Sequence, residues 1–281
     1  MKIIYSPECL SYSSPGHPES PERVRRTHAR LKKNYTFIKP SPCSEKELLL
    51  VHTRRLIESV KNSAFSDPDT PPVPNIYKHA SLSAGGALDA MRFALKGEKA
   101  FSLMRPPGHH AGRDFLSGFC YFNNIAVASA KSLLKSGRVA ILDIDCHHGN
   151  GTQDIFLRNP DVLYISIHQS PLYPGTGLKS QDNCINFPLP PGTGEKRYLS
   201  VLRKALSLIN NFRPGIVAVS AGFDTYRGDF ISNMGLETQS YLRIGEMISG
   251  LDLPGFAVLE GGYSAQLPEC VQNFLSGYEK T

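Results

Sequence analysis

The sequence predicts a three-layer α/β fold, in which a parallel central sheet carries helices on both faces. Strand-like apolar runs alternate with helical segments along the chain, as expected for a parallel sheet. Residues 139–142 are apolar at every position, which is typical of a strand covered on both sides. The chain of 281 residues is long enough for one large core. No linker or internal repeat divides it, so we expect a single domain over residues 1–281.

Caps and turn residues indicate where the elements begin. Ser20 followed by Pro21 favours a helix start, and Ser44 with Glu47 is a capping-box pattern. Four prolines within residues 66–75 exclude regular structure, so this segment forms either a pocket wall or a plain connector. We predict strands at residues 2–5, 100–104, 138–145, 162–168, 216–220 and 256–259. We predict helices at residues 21–33, 44–61, 77–95, 121–136, 152–158, 197–211, 236–248 and 267–275.

Composition excludes several classes of protein. The net charge is +6, and its densest basic cluster fits the solvated face of the helix at residues 21–33. This favours ordinary solubility over direct nucleic-acid binding. Six cysteines without a CxxC pair predict neither a disulfide framework nor a zinc ribbon. With no signal-peptide pattern and no apolar run of membrane-spanning length, we expect a soluble cytoplasmic protein and no membrane partner. The sequence leaves the oligomeric state open.

The most informative stretch is residues 138–153, where an apolar strand runs into charged residues. Asp143, Asp145 and His147 alternate with apolar residues, so in an extended chain their side chains share one face. Burying such charges is costly unless they are paired or bind a metal. Because ligands bind at the carboxyl ends of parallel strands, we interpret the cluster as a metal site. A structural ion-pair cluster is the alternative.

Three other predicted strands also lead into chemically reactive residues. These are His109 with His110, Asp224, and Tyr263. Asp145, His147 and Asp224 would leave a fourth metal position open for a water with a lowered pKa. Zn²⁺ suits this donor set, and Fe²⁺ or Co²⁺ would also fit. The His pair can act as general base and acid, and the Tyr hydroxyl can stabilise an oxyanion. Together these groups predict metal-assisted hydrolysis of an amide or ester.

Six segments, preserved in order and spacing, make the chain resemble the arginase/deacetylase superfamily. Within it, the chain is most similar to zinc-dependent histone-deacetylase-like amidohydrolases of the class II and bacterial branch. The segments are HPESPER (17–23), RPPGHHA (105–111), GFCYFNN (118–124), DIDCHHGNGTQ (143–153), SAGFD (220–224) and LEGGY (259–263).

The resemblance implies a role for each matching residue. Asp145, His147 and Asp224 would bind Zn²⁺. His110 would be the main general base and acid, His109 its electrostatic partner, Asp143 the residue that orients His109, and Tyr263 the group that polarises the carbonyl. The residues expected to line the tunnel or contact substrate are Asp69, Gly118, Phe119, Tyr173 and Ile231, with Arg23 near the foot of the pocket. A structural K⁺ would be bound by Asp143, Asp145, His147, Ser166 and Ile167.

Departures from the family pattern refine the expected substrate. Asn150 stands where one class of deacetylases has an Asp, and Tyr263 is a Tyr rather than the His of a weakly active branch. Ile231 falls where polyamine-selective relatives carry a gatekeeping Glu. We therefore expect removal of acetyl or longer acyl groups from lysine in proteins or peptides. Deacetylation of acetylpolyamines or other small acetylated amines is the alternative. A non-catalytic acyl-lysine-binding scaffold ranks below both, as does a two-manganese ureohydrolase.

Overall fold

The computed structural model describes residues 1–280 and contains a sheet of eight strands. The strands are β1 (Lys2–Ile4), β2 (Thr36–Ile38), β3 (Ala100–Ser102), β4 (Val139–Asp143), β5 (Val162–Gln169), β6 (Cys184–Leu189), β7 (Ile216–Ala221) and β8 (Gly255–Leu259). Their order across the sheet is β2-β1-β3-β8-β7-β4-β5-β6. Every neighbouring pair is parallel, so the predicted parallel sheet is confirmed.

The chain between the strands is mostly helical. The α-helices are α1 (Pro21–Leu31), α2 (Glu45–Leu48), α3 (Arg54–Lys61), α4 (Ile76–Ala94), α5 (Asn124–Ser136), α6 (Asn150–Phe156), α7 (Glu195–Phe212), α8 (Ser240–Ser249) and α9 (Leu267–Tyr278). A short 3₁₀ helix, Pro7–Leu10, lies within the segment that the sequence predicts as a loop.

Each face of the sheet packs into its own hydrophobic core. Along β4, Ala140 and Leu142 belong to one core, and Val139 and Ile141 belong to the other. β7 and β8 alternate in the same way. Side chains of α1, α7, α8 and α9 complete the first core, and those of α2 to α6 complete the second. Because successive side chains of a strand point to opposite faces, one apolar strand can serve both cores. The predicted three layers are confirmed.

The two strands that the sequence prediction missed lie at the two edges of the sheet. β2 has only three residues, all partly or fully exposed. β6 contains Pro188, which cannot donate to a neighbour and is tolerated because one side of β6 is unpaired. Edge strands need less apolar sequence than central ones. Their pattern was therefore weaker than that of the six strands that were predicted.

Some predicted element starts and ends differ from the structure. Ser44 and Glu47 form the expected capping box, with Ser44 N donating to Glu47 Oε2 over 3.0 Å. Ser20 precedes α1, but its side chain accepts no capping hydrogen bond. The strand predicted to reach residue 145 ends at Asp143. Consequently Asp145 and His147 lie in an irregular segment, and strict alternation does not orient them.

Neither the cysteines nor the helices show an unusual feature. All six cysteines are buried and unpaired. Within residues 1–280, no helix combines the length and the apolar character that crossing a bilayer would require.

A buried ion pair fixes the chain where β3 leads into the RPPGHH segment. Arg105 is fully buried and bonds Glu19 twice, from Nε over 2.7 Å and from Nη2 over 2.6 Å. Its Nη1 donates to the carbonyls of Cys9 and Tyr12, and the Tyr12 hydroxyl donates to Glu19. Burial raises the pKa of Glu19, but Arg105 outweighs that effect and holds the pKa below its usual range. The pair therefore remains ionised at neutral pH.

We expect Glu19→Gln to lower the free energy of unfolding by about 3–5 kcal/mol at pH 7, because it leaves the Arg105 charge buried without its partner. Since the pKa of Glu19 is depressed in the folded state, its stabilisation is present above the unfolded pKa of about 4.3 and is lost as pH falls through the folded value. The difference between wild type and variant should therefore shrink in acid. Urea unfolding at several pH values measures it.

Glu22→Gln is the matched control, because Glu22 is only three residues away from Glu19, in the first turn of α1, but pairs with Arg25 at the surface. It should change stability by less than about 1 kcal/mol. Equal effects of the two substitutions would contradict the assigned role of Glu19.

Candidate active site

Four adjacent strands at the centre of the sheet end beside one pocket. β3, β8, β7 and β4 are neighbours in that order. The segments that follow them carry, respectively, His109 and His110, Tyr263, Asp224, and Asp145. Because the strands are parallel, their carboxyl ends meet at the same edge of the sheet. The sequence segments that the prediction singled out are therefore brought together.

Three of the predicted residues form a compact group of possible metal ligands. Ligand atoms of Asp145, His147 and Asp224 all lie within 4.8 Å of one another. His147 Nδ1 is 3.1 Å from Asp145 Oδ1 and 3.0 Å from Asp224 Oδ2. All three residues are buried. Two carboxylates and one imidazole facing a common point match the donors that Zn²⁺ accepts.

Backbone amides hold the other oxygen of each carboxylate. Asp145 Oδ2 accepts from the N–H of Gly261 over 2.7 Å, and Asp224 Oδ1 accepts from the N–H of Cys146 over 2.8 Å. A Cβ at Gly261 would collide with both carboxylates, so glycine is required there. The two carboxylates are thus oriented by partners that come from different strands, as ligating groups usually are.

The electrostatics of this group favour a cation. Burial, together with the charge of Asp145, raises the pKa of Asp224 to about 7. Burial lowers the pKa of His147, but hydrogen bonds to Asp145 and Asp224 outweigh it and raise that pKa to about 10. Both shifts show that positive charge is stabilised where the three side chains meet. The donor set and its surroundings therefore fit a divalent metal ion.

His109 is tied to Asp143 behind it. His109 Nδ1 lies 3.0 Å from Asp143 Oδ2, and the same oxygen accepts from the Tyr164 hydroxyl over 3.0 Å. Burial lowers the pKa of His109, but the charges of Asp145 and Asp143 raise it to about 10. His109 is thus suited to remain a cation rather than to accept a proton.

His110 has the opposite character. Its Nδ1 lies 2.7 Å from Asn150 Oδ1, and a carbonyl oxygen can only accept, so Nδ1 carries the hydrogen. Burial, followed by the charges of His109 and His147, lowers the pKa of His110 well below its usual value. A neutral ring with a hydrogen on Nδ1 has its lone pair on Nε2. His110 can therefore act as a proton acceptor, while the adjacent His109, whose ring centroid is 4.0 Å away, cannot.

Tyr263 lies in the wall of the same pocket. The Arg23 guanidinium lies over its ring at 4.6 Å from the centroid, and Arg23 Nε donates to the Gly262 carbonyl over 2.7 Å. Burial raises the pKa of Tyr263 well above its usual value, so its hydroxyl keeps its hydrogen and can donate it. Arg23 is thus a buried residue that contacts the segment carrying Tyr263.

The pocket has a volume of about 210 Å³ and is lined mainly by apolar and aromatic groups. Every residue predicted to contact substrate is among its lining residues: Asp69, Gly118, Phe119, Tyr173 and Ile231. Gly118 has φ of +53°, and a Cβ there would collide with His110. The Pro-rich segment contributes Asp69, which favours a pocket wall over a plain connector. A larger open depression of about 880 Å³ along β6 and α7 contains none of these groups.

Two buried carboxylates at this site were missed by the sequence prediction. Glu260 accepts from the N–H groups of Gly108 and His109 over 2.7 and 3.2 Å. Asp229 accepts from the N–H groups of Tyr263 and Ser264 over 2.6 and 3.0 Å. Glu260 stands inside the LEGGY segment, which could have drawn attention to it. Asp229 follows Asp224 in an ordinary loop sequence, and nothing local distinguishes it.

An α/β sheet with these side chains at its carboxyl edge is typical of a hydrolase. The sequence profile of the histone deacetylase domain matches residues 17–278. A probable deacetylase of Archaeoglobus fulgidus is 39% identical over 94% of this chain and 81% of that protein. The chain belongs to the histone deacetylase family and is a deacetylase-type amidohydrolase.

Other comparisons extend the similarity to structure and to a second kind of relative. The crystal structure of the HDA15 HD domain superimposes with a TM-score of 0.90 at 31% identity, covering 98% of this chain and 90% of that one. Acetylpolyamine amidohydrolase 1 of Pseudomonas aeruginosa is 41% identical over 76% of this chain and 65% of that protein. The family thus contains relatives named for different substrates.

Proposed function

We propose that this protein is a Zn²⁺-dependent deacylase that removes acetyl or longer acyl groups from lysine side chains of proteins or peptides. The observation that carries the proposal is the meeting of three possible metal ligands, a neutral His110 and a protonated Tyr263 at one small, largely apolar pocket. A pocket of this kind suits the aliphatic stem of an acylated lysine, with the amide at its foot.

Asp145, His147 and Asp224 would hold the Zn²⁺. When bound, Zn²⁺ supplies Lewis-acid chemistry that lowers the pKa of water and polarises a carbonyl. K⁺ would be held nearby by Asp143, Asp145, His147, Ser166 and Ile167. In support, Asp143 of β4 and Ser166 of β5 stand directly opposite each other in the sheet, and both are buried.

The side chains divide the work of amide hydrolysis. His110 would accept a proton from the attacking water through its free Nε2 and later pass it to the leaving amine nitrogen. His109, held by Asp143, would stay charged. It would stabilise the negative charge that develops on the oxygens bound to the attacked amide carbon. The Tyr263 hydroxyl would donate to the developing oxyanion. The new C–O bond replaces the C–N bond, giving a carboxylic acid and a free amine.

The pocket walls favour acyl-lysine over acetylpolyamine. Ile231 and Leu172 are among the lining residues, and Asp69 is the carboxylate among them. An apolar side chain at position 231 cannot pair with the second charge of a polyamine. Phe230 beside it is 68% exposed, and Tyr173 is 40% exposed, so the rim offers apolar contact to residues flanking an acylated lysine.

A small acetylated amine is the second candidate substrate. Two relatives that match 76% of this chain are named acetylpolyamine amidohydrolases. A non-catalytic scaffold that binds acyl-lysine is disfavoured, since it would have no use for a neutral His110 held in one tautomer by Asn150.

The zinc-loaded protein should turn over acetyl-lysine peptides and longer acyl-lysine peptides faster than N-acetylputrescine. Tyr263→Phe should lower kcat on peptides about 10²- to 10³-fold, because it removes one donor to the oxyanion. Steady-state kinetics on this panel, for wild type and variant, provides the measurement.

Ile231→Glu is the matched control for substrate choice. It should raise kcat/KM for N-acetylputrescine relative to the peptides, since it supplies a carboxylate for the distal ammonium. A wild-type preference for N-acetylputrescine would favour the hypothesis that small acetylated amines are the substrates. If no panel member is turned over although zinc is bound, the deacylase proposal is wrong.

A further inference from the structure

A buried carboxylate, Asp229, lies behind the pocket wall and has no assigned task in the chemistry above. It stands five residues after Asp224, in the loop between β7 and α8, and is only 4% exposed. The base of this loop is anchored, since Arg227 N donates to the Leu236 carbonyl over 2.9 Å. A buried charge is costly unless hydrogen bonds compensate it, so its partners are informative.

The Asp229 side chain accepts its hydrogen bonds from backbone N–H groups on two sides of the pocket. Oδ2 accepts from Tyr263 over 2.6 Å and from Ser264 over 3.0 Å. Oδ1 accepts from Ile231 over 3.3 Å. Tyr263 and Ile231 both line the pocket. One carboxylate thus links the peptide that carries the Tyr hydroxyl to the peptide that carries the apolar wall.

The segment that carries Tyr263 needs such a partner. Gly262, immediately before Tyr263, has φ of +116°, a conformation that glycine alone adopts readily. Because the backbone angles of a glycine are weakly restricted, other contacts must set the direction of the chain that follows it. The structure restrains this segment through its polar groups. Arg23 donates to the Gly262 carbonyl over 2.7 Å, and Asp229 accepts from the next two amides. A cation holds the carbonyl, and an anion holds the N–H groups.

The neighbouring side chain adds a second link. The Phe230 ring lies beside the Tyr263 ring, with centroids 6.3 Å apart and planes at 64°. Since Phe230 follows Asp229 directly, the loop contacts Tyr263 through both its backbone and its ring. Moving Asp229 would therefore move both contacts together.

We propose that Asp229 is a positioning residue, which fixes the position of the Tyr263 hydroxyl in the pocket. It also links the Tyr263 peptide to the pocket wall at Ile231. The inference rests on the proposed role of Tyr263 in stabilising the oxyanion. Asp229 is not among the residues that line the pocket, so it would act by holding the Tyr263 peptide where the hydroxyl can donate.

Asp229→Ala removes the two oxygens that accept all three of these hydrogen bonds, so Tyr263 should lose its fixed position. We expect kcat to fall about 10- to 100-fold, in line with the cost of small misplacements of catalytic groups. KM should change little, because Tyr263 acts on the transition state. Asp229→Asn keeps one acceptor oxygen for the Tyr263 and Ser264 amides, so it should recover most of this loss. Asp161→Ala, an exposed Asp at the amino end of β5, is the control and should be neutral.

The decisive test combines these changes with Tyr263→Phe. If Asp229 acts through the hydroxyl, Asp229→Ala should lower kcat less than about two-fold in the Tyr263→Phe background. If the loss persists at full size there, Asp229 has only a general structural role and the inference is wrong. If thermal melting shows that Asp229→Ala does not fold, Asp229→Asn replaces it in the same comparison. Asp229→Asn should lower kcat several-fold in the wild-type background, and this loss should be absent in the Tyr263→Phe background. If Tyr263→Phe alone leaves turnover unchanged, the proposed role of Tyr263 fails, and this inference fails with it.

Discussion

Asp224→Asn should abolish tight zinc binding and lower kcat/KM at least about 10³-fold. A catalytic metal supplies several kcal/mol of transition-state stabilisation, and each 1.36 kcal/mol is a factor of ten in rate. The substitution removes a charged donor from a set of only three, Asp145, His147 and Asp224. Zinc content by elemental analysis and turnover on an acetyl-lysine peptide are the measurements.

A second readout separates metal loss from damage to the fold. Zinc binds the folded protein, so it should raise the melting temperature of wild type and leave that of Asp224→Asn unchanged. The metal-free variant should be at least as stable as metal-free wild type, because the repulsion between two buried carboxylates is gone. Asp252→Asn, at an exposed turn, is the matched control and should bind zinc normally. Stoichiometric zinc in Asp224→Asn would refute the assignment of this ligand.

His110→Gln should lower kcat about 10²- to 10⁴-fold while leaving zinc content unchanged, because general acid–base catalysis contributes on that scale. The His110 ring of the wild type is neutral, since Asn150 accepts the Nδ1 hydrogen and burial disfavours the charged form. The matched control is His109→Gln. His109 is paired with Asp143 and holds its proton, so its removal deletes an electrostatic contribution but no proton acceptor.

The order of the two effects is the test. His110→Gln should be at least about ten-fold more damaging than His109→Gln in kcat. The reverse order would assign proton transfer to His109 and contradict the tautomer that Asn150 imposes.

Much of the architecture was predictable because the central strands carry a strong local signal. Residues 139–142 are apolar throughout, since both of their faces meet a hydrophobic core, and such a run is visible without any neighbour. The edge strands β2 and β6 escaped prediction for the converse reason. Their exposed faces relax the pattern, and Pro188 is acceptable in β6 only because the sheet ends there.

The reactive side chains were likewise visible locally, but their relations were not. The sequence predicted correctly that Asp145, His147 and Asp224 come together, although 77 residues separate His147 from Asp224. It could not show that β4 ends at Asp143, nor that Asp143 and Asp145 then have different partners. Asp143 bonds His109 and Tyr164, and Asp145 lies against His147 and Asp224.

The sequence by itself determined the α/β class, the segments that carry the chemistry and the kind of reaction. These depend on side-chain identity, on apolar periodicity and on local backbone preference, all of which a short window of residues contains. The tertiary structure alone decided which histidine is neutral, what holds Tyr263 and which backbone N–H groups the buried side chains of Asp229 and Glu260 accept from. Those properties arise from burial and from hydrogen bonds between strands that are distant along the chain, and only the folded packing brings such groups into contact.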